Sequence, residues 1–228
     1  MTGSGLGNAS LVAILAIVPL VVLMLTSFVK VSVVLSLVRN AIGATDAPSG
    51  LVVMGVSLIL TFFVMAPVAV QMVQAAATAP ATAPAPAAAP DDVEIAVRAL
   101  VPAPYQGEVD AAARALGPLR TFLGRHAGER DRATFVELAT RMGHPVKGSE
   151  LWVLAPAFLT TELREAFAIA VLIFLPFLVI DLVVALGLAA LGLQSTSPQV
   201  VSLPLKLMLF VAVDGWRLLI ESLLRGYV

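Results

Sequence analysis

At 228 residues, the chain is 59% hydrophobic and 13% charged, with a mean hydropathy of +0.97. An average soluble domain has roughly a quarter of its residues charged, so this composition excludes an ordinary globular protein of the aqueous phase. A net charge of −1 excludes a basic nucleic-acid-binding surface, and the lack of cysteine excludes disulfides and thiol chemistry.

Residues 91–165 hold 20 of the 29 charged residues, so two apolar blocks flank one soluble insert. The first ten residues contain no Lys or Arg, and the basic region that opens a secretory signal is missing. The apolar run from 11 to 29 continues past Lys30 to 38. It predicts a retained helix with Asn8 or Ser10 as N-cap and a kink at Pro19. Lys30 and Arg39 near its end read either as interface anchors or, because Lys30 has apolar sequence on both sides, as protein-facing groups. Residues 43–50 form a turn, with Pro48 near the next helix start. Residues 51–73 carry no charge and are the cleanest membrane-spanning segment, bent at Pro67.

Residues 75–90 contain only Ala, Pro and Thr, a composition that buries no core and predicts a flexible linker. Asp91 and Asp92 then cap a short helix to about Leu100, which Pro102 and Pro104 end. Two amphipathic helices follow at 108–125 and 132–142. Leu116, Leu119, Phe122 and Leu123 line the apolar face of the first; Phe135, Leu138 and Met142 line that of the second. Arg and Glu on the other faces are expected in solvent. His126 and His144, the only histidines, are read as loop residues. No cysteine or acidic cluster stands at ligand spacing around them, so no metal is expected.

Residues 156–217 predict an antiparallel helical hairpin with a six-residue connection between Leu193 and Val200. The first arm, 166–193, is about 42 Å of helix at ~1.5 Å per residue, enough for a hydrocarbon layer of roughly 30 Å. Asp181 interrupts this arm, and Lys206, Asp214, Arg217 and Glu221 punctuate the second. A charge facing lipid costs at least ~2.5–3.5 kcal/mol, so these groups are expected to have partners within the chain or in neighbouring subunits. Counted outward from the connection, Asp181 stands level with 211–214, with Arg217 in reach. Four spans in all put the insert outside the cytoplasm if Lys30 and Arg39 mark the inner side, whereas Arg217 and Arg225 argue the reverse.

Catalytic patterns fail: there is no HExxH, no GxSxG and no phosphate-binding glycine loop. Asp181 and Asp214 on adjacent helices invite comparison with an intramembrane aspartyl protease, but VDGW lacks the GxGD pattern, and Arg217 one turn away is expected to pair with Asp214 and to prevent proton sharing. A transporter subunit is the stronger rival, since charges on Pro-containing membrane helices are how ion pathways are built. No internal repeat relates the two blocks, so any conduit requires several copies.

Four motifs, TSFVKVSVVLSLVRNAIG at 26–43, PAFLTTELREAF at 156–167, LPFLVIDLVV at 175–184 and SLPLKLMLFVAVDGW at 202–216, occur in the order found in the FliP/SctR family. The chain resembles these export-apparatus subunits across both apolar blocks. The resemblance implies an all-α, non-enzymatic membrane protein of about four long helices with a small helical periplasmic insert. Its segments are 1–73 (N-terminal gate helices), 74–90 (linker), 91–155 (insert) and 156–228 (gate hairpin). It further implies a homo-oligomer, a pentamer in the family, in the bacterial inner membrane. The implied partners are SctS-type and SctT-type gate subunits, SctU-type and SctV-type apparatus proteins, and unfolded secretion substrates. No cofactor is implied. Motif positions expected to serve assembly are Lys30, Arg39, Pro156, Phe158, Glu162, Phe167, Pro176, Asp181, Pro204, Lys206, Asp214, Trp216 and Arg217. By position, Leu193, Gln194, Ser195 and Thr196 fall where many members carry a methionine-rich pore constriction, although the methionines are absent here. That turn and the missing signal sequence look more like the injectisome branch than the flagellar one.

Overall fold

The computed structural model describes residues 21–43, 49–77, 106–193 and 195–227, and every regular element among them is helical. In chain order these are α1 (Phe28–Ile42), α2 (Gly50–Ala77), α3 (Gln106–His126), α4 (Glu129–Arg141), α5 (Leu151–Ala190), α6 (Pro198–Ala212) and α7 (Gly215–Arg225). The expected caps Asn8 and Ser10, the kink at Pro19, most of the Ala/Pro linker and the helix ending near Leu100 lie outside the described residues.

Among the described residues two helices, not four, are long and apolar enough to cross a membrane: Gly50–Ala77 and Leu151–Ala190. The first expected span is broken inside its described part. After a helical turn at 21–24, the Thr26 hydroxyl donates to the Leu23 carbonyl at 2.8 Å, and Thr26 N–H bonds the same carbonyl at 3.2 Å. Such side-chain bonds compete with the helical ladder. A new helix, α1, starts after Ser27. The expected fourth span is also cut: α6 ends at Ala212, and α7 begins only after a corner at Val213 and Asp214. The first arm of the hairpin is longer than its apolar run, because α5 starts at Leu151 and runs through Pro156 and Pro176 to Ala190. At ~1.5 Å per residue its 40 residues measure about 60 Å.

The described residues fall into two compact units. Ser27–Val64 with Leu163–Val228 form one, and the described parts of Met1–Thr26 and Met65–Glu162 form the other. In the first, α1 is the central element. Val31, Val34, Leu35, Val38, Ala41 and Ile42 recur every three or four residues and make a single buried stripe. It packs into a core with Val53 of α2, Ala166 and Phe177 of α5, Phe210 of α6, and Leu219 and Leu223 of α7. Each large side chain removed from water in this way is worth roughly 1.5–3 kcal/mol. Ser57 and Thr61 are buried on α2 without disrupting it, since their hydroxyls donate to Val53 and Ser57 carbonyls one turn back, at 2.7 and 2.6 Å.

In the other unit Leu119, Phe122 and Leu123 of α3 are buried, as are Val153, Leu154, Ala157 and Phe158 near the start of α5, with the Phe122 and Phe158 rings 5.7 Å apart. Leu116 is exposed, at the edge of the predicted face. The predicted face of α4 is not the packed one: Leu138 and Met142 are exposed, and Asp131 and Ala139 are buried. A polar chain sets this orientation. Gly128 N–H donates to the Thr161 hydroxyl at 2.9 Å, which donates to the Asp131 carboxylate at 2.6 Å. Glu150 organises the beginning of α5. Its carboxylate accepts the Lys147 and Gly148 N–H groups at 3.0 and 2.7 Å, and its carbonyl accepts Val153 and Leu154 N–H. Burial raises the Glu150 pKa, but these backbone donors outweigh it and hold the carboxyl below its ordinary value. His126 closes α3 against the Phe122 ring, and His144 lies in the following loop edge-on to Trp152.

Candidate functional site

A lysine in an apolar helix needs anions or carbonyls around it, and Lys206 of α6 has both. The buried Nζ donates to the Asp181 carboxylate of α5 at 2.6 Å and to the Ala41 carbonyl of α1 at 3.1 Å. Ser202, one turn earlier on α6 and also buried, adds a hydroxyl hydrogen bond to Asp181. Ala41 is one of the last carbonyls of α1, which lack intrahelical partners, and a cation there also suits the helix dipole. Gly43 ends the helix at φ 82°, with its N–H on the Asn40 carbonyl. One ammonium therefore closes α1 and joins α5 to α6. The partner of Asp181 is Lys206 rather than Arg217.

The register difference has a simple origin. Counted from the observed ends at Ala190 and Pro198, the position level with Asp181 is 207. Setting the end of the first arm three residues late and the start of the second two residues late shifts the level on the opposite arm by five residues, more than a turn.

Lys30, in the first turn of α1, is 1% exposed and protein-facing. Its Nζ meets the Glu165 carboxylate of α5 at 2.7 Å and stands 4.3 Å from the centroid of the Tyr227 ring. Arg39, near the other end of α1, is half-buried and lines a cavity of about 30 Å³ with Leu35, Val53, Phe210 and Trp216.

The hairpin turn is built on Gly192 at φ 73°. Gly192 N–H bonds the Ala189 carbonyl and Leu193 N–H bonds the Leu188 carbonyl, the pair of reversed bonds that terminates a helix on a left-handed glycine. Leu193 and Ser195 are exposed and Thr196 is half-buried; Gln194 lies outside the described residues. At the α6–α7 corner, Asp214 adopts φ 51°, ψ 50°. Gly215 follows with Phe210 so close that a β-carbon there would lie 2.3 Å from the ring. Phe210 in turn meets Trp216 edge-on, with centroids 5.5 Å apart. Arg217 pairs on the surface with Glu221 at 2.9 Å.

The other motif positions are scattered. Phe158 and Glu162 are buried and Pro156 is half-buried, whereas Phe167 and Pro204 are exposed. Pro176 lines a groove of about 230 Å³ with Phe177, Leu209 and Phe210. Sequence reasoning missed Glu165, Ser202 and Tyr227. The first two were findable: Glu165 lies at the edge of the long apolar run, and Ser202 lies four residues before Lys206, on the same helical face.

This chemistry fixes structure rather than reacting. Asp181 is tied to a cation instead of sharing a proton with Asp214, and among the described residues no group of three His, Cys, Asp or Glu could hold a metal. Apolar surface dominates instead: Val171, Leu172, Leu175, Val179 and Leu182 of α5 are all about half exposed or more. Fold and site together define a helical protein with two helices long and apolar enough to cross a membrane among the described residues, in which the buried Lys30 and Lys206 are paired with carboxylates of the same chain.

Comparison with known proteins makes this specific. The FliP family profile matches residues 11–223. "Pathogenicity-related ORF2" of Xanthomonas campestris pv. glycines is 40% identical over 221 residues, covering 95% of this chain and 94% of that protein. The "Flagellar biosynthetic protein FliP" of Pectobacterium carotovorum subsp. carotovorum is 42% identical, with coverages of 93% and 75%. The "Hypersensitivity response secretion protein HrcR" of Ralstonia nicotianae is 38% identical, with coverages of 93% and 93%. The chain belongs to the FliP family. It is a structural subunit of a type III secretion or flagellar export apparatus and a protein of the bacterial inner membrane.

Proposed function

We propose that this chain is the ring-forming subunit of an injectisome-type export gate, through which unfolded proteins leave the cytoplasm. Several copies, five by family resemblance, assemble with SctS-type and SctT-type subunits, next to SctU-type and SctV-type apparatus proteins. The observation that carries this reading is the mismatch of α6 with a bilayer. At ~1.5 Å per residue its 15 residues reach about 22 Å, short of a hydrocarbon layer of roughly 30 Å. Yet Val200, Leu207, Met208 and Val211 on it are exposed. An apolar helix too short to span lipid, with one face left uncovered by its own chain, is suited to packing against neighbouring helices. The likeness to pathogenicity-related ORF2 and to HrcR, 40% and 38% identical, supports the injectisome branch.

In this reading residues 1–73 and 156–228 build the gate, and 91–155 is a helical insert on the periplasmic side, tethered through 74–90. Leu193, Gln194, Ser195 and Thr196 line the closed constriction, with Leu193 replacing the methionine seal of other members. The chain lacks cysteine, so a single Met208→Cys or Leu207→Cys substitution reports on α6 alone. Oxidation in membranes should link copies or gate partners. If α6 remains uncrosslinked while the purified protein runs as a monomer, the ring assignment is wrong. Deleting 193–196 should raise dye leakage with assembly intact; unchanged leakage removes the constriction.

A further inference from the structure

We infer that Gly226 and Tyr227 form a latch that covers the buried cation paired with Glu165 and fastens the first turn of α1. Lys30 carries an ammonium enclosed at 1% exposure. An ammonium in such a place needs electron-rich partners on more than one side. Glu165 supplies one, at 2.7 Å, from a side chain that is 48% exposed. Tyr227 supplies the second: its ring centroid is 4.3 Å from Nζ, within the ~6 Å over which a ring face attracts a cation.

Gly226 makes the approach possible. A β-carbon at this position would lie 3.1 Å from Lys30 Nζ and 3.8 Å from the Glu165 carboxylate, closer to the ammonium than ordinary packing allows. The backbone thus passes close enough that a β-carbon would displace the ammonium by a few tenths of an ångström. Lys30 and Glu165 stand three and two residues beyond Ser27 and Leu163, the two points at which the chain passes into this compact unit. The latch therefore fastens both of these points to the segment that follows α7. It is independent of the export-gate reading, since it concerns one chain only.

The test uses the full-length protein in mild detergent, read by thermal unfolding and by amide hydrogen exchange in the first turn of α1. Tyr227→Leu keeps apolar bulk and removes the ring. It should lower the melting temperature by about 3–6 °C and speed exchange in the first turn of α1, leaving α6 unchanged. Tyr227→Phe keeps the ring over the ammonium and should retain most of the stability that Tyr227→Leu loses. In a Lys30→Met background, where no cation needs the ring, Tyr227→Leu should lose most of its effect. Equal losses with and without Lys30, or equal losses for Tyr227→Phe and Tyr227→Leu, would overturn the latch in favour of simple packing. If Lys30→Met does not accumulate, the Phe-against-Leu comparison decides alone.

Discussion

Removing Asp181 and removing Lys206 should have unequal consequences, although the two form one ion pair. The Lys206 side chain is 7% exposed and that of Asp181 is 37% exposed. Asp181→Ala strands an ammonium with the Ala41 carbonyl as its remaining acceptor among the contacts described. Breaking a fully buried pair from one side costs about 3–5 kcal/mol; the retained carbonyl bond and the partial access of water at this site put the expected loss near ~3 kcal/mol. Lys206→Met leaves a carboxylate that water can reach and that still accepts the Ser202 hydroxyl. Its main losses are the Ala41 contact and the pair attraction, together ~1–1.5 kcal/mol. The double variant Asp181→Leu/Lys206→Met has neither stranded charge and should lie within about 1 kcal/mol of the parent. Thermal unfolding of the four proteins in one detergent measures the cycle. At roughly 2–4 °C per kcal/mol for a chain of this size, the Asp181→Ala shift is about 6–12 °C. Assembly on native gels should fall in the same order. Equal single-variant losses, or a double variant as unstable as the two losses added, would refute the assignment of the penalty to the stranded lysine.

Gly215→Ala should destabilise by about 2–3 kcal/mol, because its methyl group would enter the Phe210 ring; adding Phe210→Leu should recover part of the loss in the same melting assay. Asp214→Gly should raise stability by up to ~1 kcal/mol, since glycine adopts φ 51° without the penalty of a β-carbon; a loss instead would mean that the aspartate side chain has a role beyond its backbone conformation. Glu150→Gln concerns pH. The folded-state pKa of Glu150 is lowered, so its charge stabilises the fold above the unfolded-state value of 4.5, and that contribution fades as pH falls through the lower folded-state value. The wild type should therefore be more stable than Glu150→Gln at pH 7, with the gap narrowing below 4.5 in pH-resolved melting curves.

The apolar runs were legible as helices, because segments such as 51–73 offer no alternative way to satisfy their backbone in a greasy environment. The interruptions were not. The break before α1 depends on one threonine hydroxyl bonding Leu23, and the corner before α7 on Asp214 adopting a conformation that hydropathy does not report. Lys30 read equally as an anchor or as a protein-facing group, because the ring that meets it comes from Tyr227, almost two hundred residues away. Asp181 and Lys206 were both recognised as needing partners, but their pairing with each other was hidden by an uncertainty of a few residues in the turn. On α4 the apolar pattern pointed to Leu138 and Met142, whereas a hydrogen-bonded chain through Thr161 holds Asp131 inward. The periodicity of apolar residues had no means of registering that.

The bond from Lys206 to Ala41 spans 165 positions of sequence. On a ribosome elongating at about 5–20 residues per second, Ala41 emerges roughly 8–30 s before the lysine that completes its end of the helix. Throughout that interval the first helix of this unit must be held by something other than its final partner, whether lipid, insertion machinery or chaperone. The C-terminal end of α1 is thus made early and closed late, once α6 has been synthesised.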